Sequence, residues 1–180
     1  MLQPADGIFL PEGYSRLTYL HIPSGKRIQL PYWITGSTVL EAKLRSLEYV
    51  QYRAIIGISG ANQWGACVRY TNYSNNSSKI TICSDNGFDV TYDNVFEQNV
   101  LYDIVHTNDH YTLKKGADVV LDVSLTAGQY GDFYVPVLCG KMDVYKFKYN
   151  GIQFIPCINP NNEEGLFDMN SNSFIGMTNG

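Results

Sequence analysis

Three groups of residues in this chain have the types and spacing that catalysis or metal binding requires. Paired carboxylates hydrolyse glycosidic bonds when they flank the bond, about 5–5.5 Å apart in retaining enzymes and about 6.5–9.5 Å apart in inverting ones. The two acidic groups here lie in turn-rich stretches, where carboxylates are usually solvated. The histidine group fits a triad or a metal cluster, but it also fits a polar turn between two strands. The groups are Asp85/Asp89/Asp93, Glu163/Glu164 and His106/Asp109/His110. Their spacing alone does not indicate an enzyme, and we expect no catalytic residues.

Residues 168–172 have the pattern Asp-x-Asn-x-Asn, which is the first half of a calcium-binding loop. The second half does not follow, because Ser173 stands where that loop requires glycine and Asn179 where it requires a bidentate glutamate. A tight hairpin between residues 166–168 and 173–175 accounts for the same side chains. We predict that hairpin, and we expect no metal ion and no cofactor.

Two loops combine aromatic and amide side chains in the way that sugar binding requires. Sugar rings stack their apolar faces on Trp or Tyr, while amides bind the hydroxyl groups. Asn62 and Trp64 lie between two glycines, and Tyr70, Asn72 and Tyr73 open the next long loop. These five residues are the predicted glycan site. The alternative is that Trp64 packs under its own loop and the Tyr/Asn run is an ordinary turn, since Trp is highly buried on average.

The aromatic content also suits contacts with other proteins. Fourteen residues are Tyr, and Tyr offers a large contact area and a polar tip at low entropic cost. Trp33, which follows Pro31 and Tyr32, is expected to pack in the core or at its rim.

Composition limits the classes of partner. The net charge is −4 and the 13 Lys and Arg residues are scattered, which argues against nucleic acid, because phosphate binding needs a concentrated basic face. No stretch approaches the ~20 apolar residues that cross a bilayer, and the first residues lack the pattern of a signal peptide. The four cysteines are therefore expected to be free thiols. Cys67 and Cys83 lie on adjacent predicted strands and could face each other.

Short apolar runs bounded by turn residues recur from Tyr14 onward, which is typical of a β-sandwich or barrel. Asn150-Gly151, between aromatic and β-branched residues, predicts a hairpin with a type I′ turn. Residues 39–45 leave two structures open. Apolar and charged residues alternate there as in a strand, but the leucines also have helical i, i+4, i+7 spacing with Ser37 as an N-cap.

Two stretches near the ends of the chain carry a family resemblance. Residues 10–17, LPEGYSRL, match an LPEGY-x-x-L opening, and the C-terminal third matches a closing series Y-x-F-x-x-x-x-G, F-x-P, G-L-[YF]-D and F. Both resemble the concanavalin A-like (laminin G-like) jelly-roll domains common in phage and prophage proteins. The C-terminal residues that match are Tyr145, Phe147, Gly151, Phe154, Pro156, Gly165, Leu166, Phe167, Asp168 and Phe174.

The resemblance implies an all-β fold, a two-sheet antiparallel jelly-roll sandwich. Residues 1–9 would form an N-terminal arm and residues 10–180 a single domain. It favours a strand for residues 39–45, because a strand follows the opening motif in that family. Glucanases of this fold superfamily carry their carboxylates in an E-[IL]-D-x-x-E motif, which this chain lacks. The resemblance also implies a virion, assembled in the bacterial cytoplasm, as the location.

We therefore expect a non-catalytic virion structural or auxiliary protein, a capsid decoration or fibre component, whose partners are other virion proteins. The alternative is an adhesin that attaches the virion to a glycan of the bacterial surface, and a hydrolase ranks third. The N-terminal arm is polar and contains proline, and we expect it to dock on a neighbouring molecule rather than on its own domain.

Overall fold

The computed structural model describes residues 7–48, 54–59, 67–70, 80–83, 89–92, 95–107, 109–125 and 135–179. Every regular element in these ranges is a β-strand. This agrees with a composition low in charge and rich in Tyr, Val, Ile and Thr, the residues that fit a pleated surface. The described ranges contain no apolar helix of the length that a bilayer demands.

Seventeen strands lie in the described ranges. They are β1 (Ser15–Arg16), β2 (Leu20–Ile22), β3 (Lys26–Gln29), β4 (Leu40–Ser46), β5 (Ala54–Ser59), β6 (Cys67–Tyr70), β7 (Ile80–Cys83), β8 (Asp89–Tyr92), β9 (Leu101–His106), β10 (His110–Lys115), β11 (Asp118–Ser124), β12 (Val135–Cys139), β13 (Met142–Tyr149), β14 (Ile152–Ile158), β15 (Glu164–Asp168), β16 (Ser173–Gly176) and β17 (Thr178–Asn179).

The strands form two sheets. The ten-stranded sheet has the order β11-β10-β9-β4-β13-β14-β15-β16, with β1 beside β14 and β2 beside β13, and the seven-stranded sheet has the order β17-β3-β12-β5-β6-β7-β8. All pairs are antiparallel. The predicted fold class, an all-β two-sheet antiparallel sandwich of the jelly-roll type, is confirmed.

The segment that the sequence left open between helix and strand is β4. Leu40, Ala42 and Leu44 are at most 3% exposed, whereas the charged residues between them face outward. The alternation therefore decides the structure, and the strand prediction is confirmed. Buried side chains from both sheets meet in one apolar cluster. Its largest fully buried members are Tyr102, Tyr111, Phe96, Phe147 and Phe154.

The first described residues pack on their own domain. Ile155 and Cys157 of β14 and Phe167 of β15 form a second buried apolar cluster, separate from the main core, against which Ile8, Leu10, Tyr14 and Phe174 pack. Tyr14 meets Phe167 edge to face, with ring centroids 5.1 Å apart. The expected docking on a neighbour is therefore wrong for Ile8, because an uncovered apolar strip on β14 and β15 would cost free energy in water. Residues 1–6 of the arm lie outside the described ranges.

The turn between β13 and β14 has the predicted form. Asn150 and Gly151 have φ values of 49° and 80°, as a type I′ turn requires at both central positions. The Asn150 side chain also accepts a hydrogen bond from the Val39 amide at 2.7 Å, and the Asn150 amide donates to the Val39 carbonyl at 2.9 Å. This hairpin is therefore fastened to the start of β4.

Gly165 allows the closest approach in the β15–β16 hairpin. A Cβ at this position would lie 2.3 Å from the Ile175 carbonyl oxygen and 2.6 Å from the Phe174 ring. We expect Gly165→Ala to lower the free energy of unfolding by about 3 kcal/mol, because backbone as well as side chain must shift. Denaturant titration measures the change. Gly176→Ala is the matched control, since its Cβ would meet Phe174 at an ordinary 3.4 Å, and equal losses in both variants would contradict the prediction.

Candidate functional site

Three connections meet at one end of the sandwich. They are residues 30–39 between β3 and β4, residues 150–151 between β13 and β14, and residues 169–172 between β15 and β16. We call this surface the hairpin rim. The hydroxyl of Tyr149, at the end of β13, donates to the Trp33 carbonyl. The side-chain amide of Asn170 donates to the Tyr32 hydroxyl at 3.3 Å. The three connections therefore touch one another.

Asp168 anchors the rim. Its carboxylate is fully buried and accepts hydrogen bonds from the Tyr32 hydroxyl at 2.5 Å and the Ser171 hydroxyl at 2.7 Å. The backbone amides of Asn170 and Ser171 also donate to this carboxylate, at 2.8 and 3.3 Å. Burial alone would raise the pKa of Asp168, but these hydrogen bonds outweigh it and hold the pKa below its usual value. The tight hairpin predicted between residues 166–168 and 173–175 is confirmed. The Asp168 carboxylate, which is the first position of the calcium-loop pattern, is bound by groups of the turn.

Tyr32 links Asp168 to the connection between β3 and β4. Its ring stacks on Tyr149 with centroids 4.9 Å apart and meets Phe154 edge to face at 6.0 Å. Burial, followed by the bond to the Asp168 carboxylate, raises the pKa of Tyr32. The phenol therefore stays protonated and acts as a donor.

Trp33 is the exposed aromatic residue of the rim. Its side chain is 54% exposed, whereas Ile34 beside it is buried in the core. Of the two positions expected for Trp33, the core is wrong, and the half-exposed residue lies at the rim. Tyr32 and Ile34 fill the inward positions on either side, so that the indole between them faces solvent.

An open groove of about 440 Å³ lies on the rim. Asn170, whose side chain contacts Tyr32, is one of its lining residues. None of the described lining residues is charged. Three of them are amides and three are apolar, so the wall offers hydrogen-bond donors, acceptors and apolar contact surface together. The lining residues are Ile8, Asn150, Gly151, Ile152, Gln153, Met169 and Asn170. Trp33 is not one of these lining residues, but its neighbour Tyr32 contacts Asn170 of the wall. An indole and neutral amides are the groups that bind the apolar face and the hydroxyl groups of a sugar.

A second polar cluster occupies the outer face of the ten-stranded sheet. The carboxylate of Asp143 on β13 is 3% exposed and accepts from His21 of β2 at 2.8 Å and from Arg45 of β4 at 2.5 Å. The hydrogen bond to Asp143 raises the pKa of Arg45. Tyr145 lies beside this network, 5.2 Å from the Tyr19 ring. The network links β2 and β4 to β13. The Asp143 carboxylate is bonded to both His21 and Arg45, so it is not available as a general base.

The histidine group considered for catalysis does not converge. His106 faces the core, 2% exposed, and its ring meets that of Tyr111 edge to face at 5.6 Å. His110 lies on the outer face and contacts the Asp122 carboxylate at 2.5 Å. Asp109 accepts from the Thr107 hydroxyl at 2.9 Å. Within the described ranges, no group of three or more His, Cys, Asp or Glu is arranged to hold a metal ion.

The predicted glycan residues fall largely outside the described ranges. Asn62, Trp64, Asn72 and Tyr73 lie outside them, and Tyr70 is the last residue of β6, whose backbone alone is described. The neighbouring register does place Cys67 opposite Cys83, as the sequence suggested. The glycan site at these residues stays a prediction, and Trp33, the exposed indole of the rim, was not among them.

Comparison with known proteins finds likeness among solved structures. No protein-family model and no curated protein matches the chain. Among solved structures, the chain is similar to galectin-Ib of Xenopus laevis, at 14% sequence identity and a TM-score of 0.40, over 69% of this chain and 98% of that one. The ligand must therefore be argued from the rim itself.

His106 makes the stability of the sandwich depend on pH. Both ring nitrogens are shielded from solvent and lack a hydrogen-bond partner among the described residues, and burial lowers the pKa of His106 from 6.5 to about 4. Between these values the unfolded chain binds more protons, so stability is complete above about pH 6.5 and falls as the pH approaches 4, by roughly 3 kcal/mol.

His106→Phe should remove this contribution, so that melting temperatures of the variant and the natural chain diverge between pH 7 and pH 4.5. His110→Phe on the outer face is the matched control and should keep the acid-induced loss. If His106→Phe follows the natural chain at every pH, the buried histidine is not the titrating group.

Proposed function

We propose that this protein is a non-catalytic binding domain that recognises an uncharged, hydroxyl-rich glycan at the hairpin rim. The observation that carries the proposal is the exposed indole of Trp33, next in the chain to Tyr32, which contacts Asn170. Asn170 lines the groove together with the amides of Asn150 and Gln153. Little side-chain ordering is then needed on binding, because Tyr32 and Tyr149 already hold the segment.

The charges of the rim favour binding over hydrolysis. Glycoside hydrolysis needs two carboxylates flanking the bond, one of them protonated. Asp168 is buried, accepts four hydrogen bonds and keeps a lowered pKa, so it suits neither role. Among the described residues, none that lines the groove is acidic. The same lack of charge favours a neutral sugar over an acidic one.

The setting proposed for this binding is the virion surface, as an adhesin that attaches the particle to a bacterial glycan. Its support is the resemblance of residues 10–17 and of the C-terminal third to phage jelly-roll domains. A second candidate function is a capsid or fibre component that acts through protein contacts. Its support is β11, an edge strand of the ten-stranded sheet on which Val119 is 56% exposed, since an exposed apolar edge is a surface on which other chains pair.

The glycan proposal predicts that Trp33→Ala weakens sugar binding. The purified chain is applied to an array of neutral bacterial glycans, and Kd for the selected glycan is measured by calorimetry. We expect at least about a tenfold weaker Kd in Trp33→Ala, because the loss of one stacking contact is worth about 1.4 kcal/mol or more. Trp33→Tyr keeps a stacking ring and should retain most of the affinity.

Trp64→Ala and Val119→Ala are the controls. Loss of sugar binding in Trp64→Ala with full binding in Trp33→Ala would move the glycan site away from the rim. A folded sample that binds no glycan would rule out the adhesin. If Val119→Ala then also lowers incorporation into particles, the second candidate is favoured.

A further inference from the structure

A second groove, of about 580 Å³, runs between β16 of the ten-stranded sheet and β3 of the seven-stranded sheet. It is lined by the whole of β16 on one side and by Arg27, Gln29, Leu30 and Pro31 on the other. It is separate from the groove of the hairpin rim, with which it shares no lining residue. Its lining residues are Arg27, Gln29, Leu30, Pro31, Ser173, Phe174, Ile175, Gly176 and Thr178.

Strand edges border this groove on both sides. β16 is the last strand of the ten-stranded sheet. β17 covers the edge of β3 only at Lys26 and Arg27, so that no strand of the described ranges pairs with Gln29 on that side. An extended chain placed here would lie along backbone N–H and C=O groups with the spacing of a strand, which is how sheets accept an added peptide.

Arg27 gives the groove its charge. Of the lining residues that the structure describes, it alone is charged and none is acidic. Within the described part of the chain its Nε is shielded from solvent and has no hydrogen-bond partner, whereas the neighbouring Lys26 contacts the Asn179 side chain at 2.8 Å. A guanidinium is a planar fork that matches a carboxylate, and a buried N–H without an acceptor costs stability.

The remaining walls suit the side chains of a peptide. Leu30, Pro31, Phe174 and Ile175 are apolar, and Ser173, Gln29 and Thr178 are polar. An extended peptide points alternate side chains to opposite sides, so that an apolar residue and an acidic residue of one strand can reach different walls. A sugar would use the polar groups, but it would leave the strand edges unpaired.

We propose that this groove binds an extended acidic peptide segment of a partner protein. The backbone of the segment pairs with the edge of β16, and an Asp or Glu side chain of the segment binds Arg27. The site is independent of the glycan proposal, because none of its residues belongs to the rim groove.

The test is an array of heptapeptides with acetylated N-termini and amidated C-termini, so that carboxylates come from side chains alone. Each Asp or Glu peptide has an Asn or Gln twin, and the probe is the fluorescently labelled full chain. We expect the selected acidic peptides to bind at least about tenfold more tightly than their twins. This preference should vanish in Arg27→Gln and weaken in Arg27→Lys, which keeps the charge but loses the fork.

Lys26→Gln is the matched control, since Lys26 lies outside the groove, and it should keep the preference. Hydrogen exchange should slow at the amides of Ser173–Gly176 when a selected peptide is added, which a contact through Arg27 alone would not cause. Trp33→Ala should bind the peptide normally. A folded chain that selects no acidic peptide overturns the proposal. So does a preference that survives Arg27→Gln, or binding of a uronic acid oligosaccharide or inorganic phosphate at Arg27 in place of any peptide.

Discussion

The end of the sandwich that we assign to ligand binding depends on one buried carboxylate. Asp168 ends β15, caps the following turn through the amides of Asn170 and Ser171, and accepts the Tyr32 hydroxyl from the other side of the rim. An ionised carboxylate is tolerated away from water only when hydrogen bonds replace its hydration. The protein therefore holds these groups in one arrangement, and the connection between β3 and β4 is fixed with them.

This constraint sets the positions of both grooves. Leu30 and Pro31, which line the groove of Arg27, come directly before Tyr32, and Trp33 of the rim comes directly after it. Ser173 lines the Arg27 groove, and Asn170 on the same turn lines the rim groove. Tyr32 and the turn at residues 169–172 thus lie between the uncharged groove of the hairpin rim and the groove that contains Arg27. Two ligands of different chemistry can be held a few residues apart without competing.

The sequence predicted what depends on local pattern. Alternation in β4 predicted a strand, and the resemblance chose it over the helix that the leucine spacing also allowed. Asn150-Gly151 predicted its turn because both positions require positive φ. The exposure of Trp33 has no such local cause. It follows from a hydrogen bond between Tyr149 and the Trp33 carbonyl, 116 residues apart, and from the bond between Tyr32 and Asp168, 136 residues apart. The docking of Ile8 on its own domain likewise depends on an apolar strip more than a hundred residues away. The charge network of Asp143 could not be predicted from the sequence either, because its members lie on β2, β4 and β13, which are distant in sequence.

The covering of β14 and β15 by Ile8, Leu10 and Tyr14 has a consequence for the order in which the domain is made. The first described residues find their partners in Ile155, Cys157, Phe167 and Phe174, which are synthesised more than a hundred residues later. Contacts between residues so far apart in sequence form late, because the loop between them must close first. During synthesis the N-terminal segment has no surface to dock on and stays within reach of proteases and chaperones. This face of the sandwich is therefore completed only after residues 155–174 have been made.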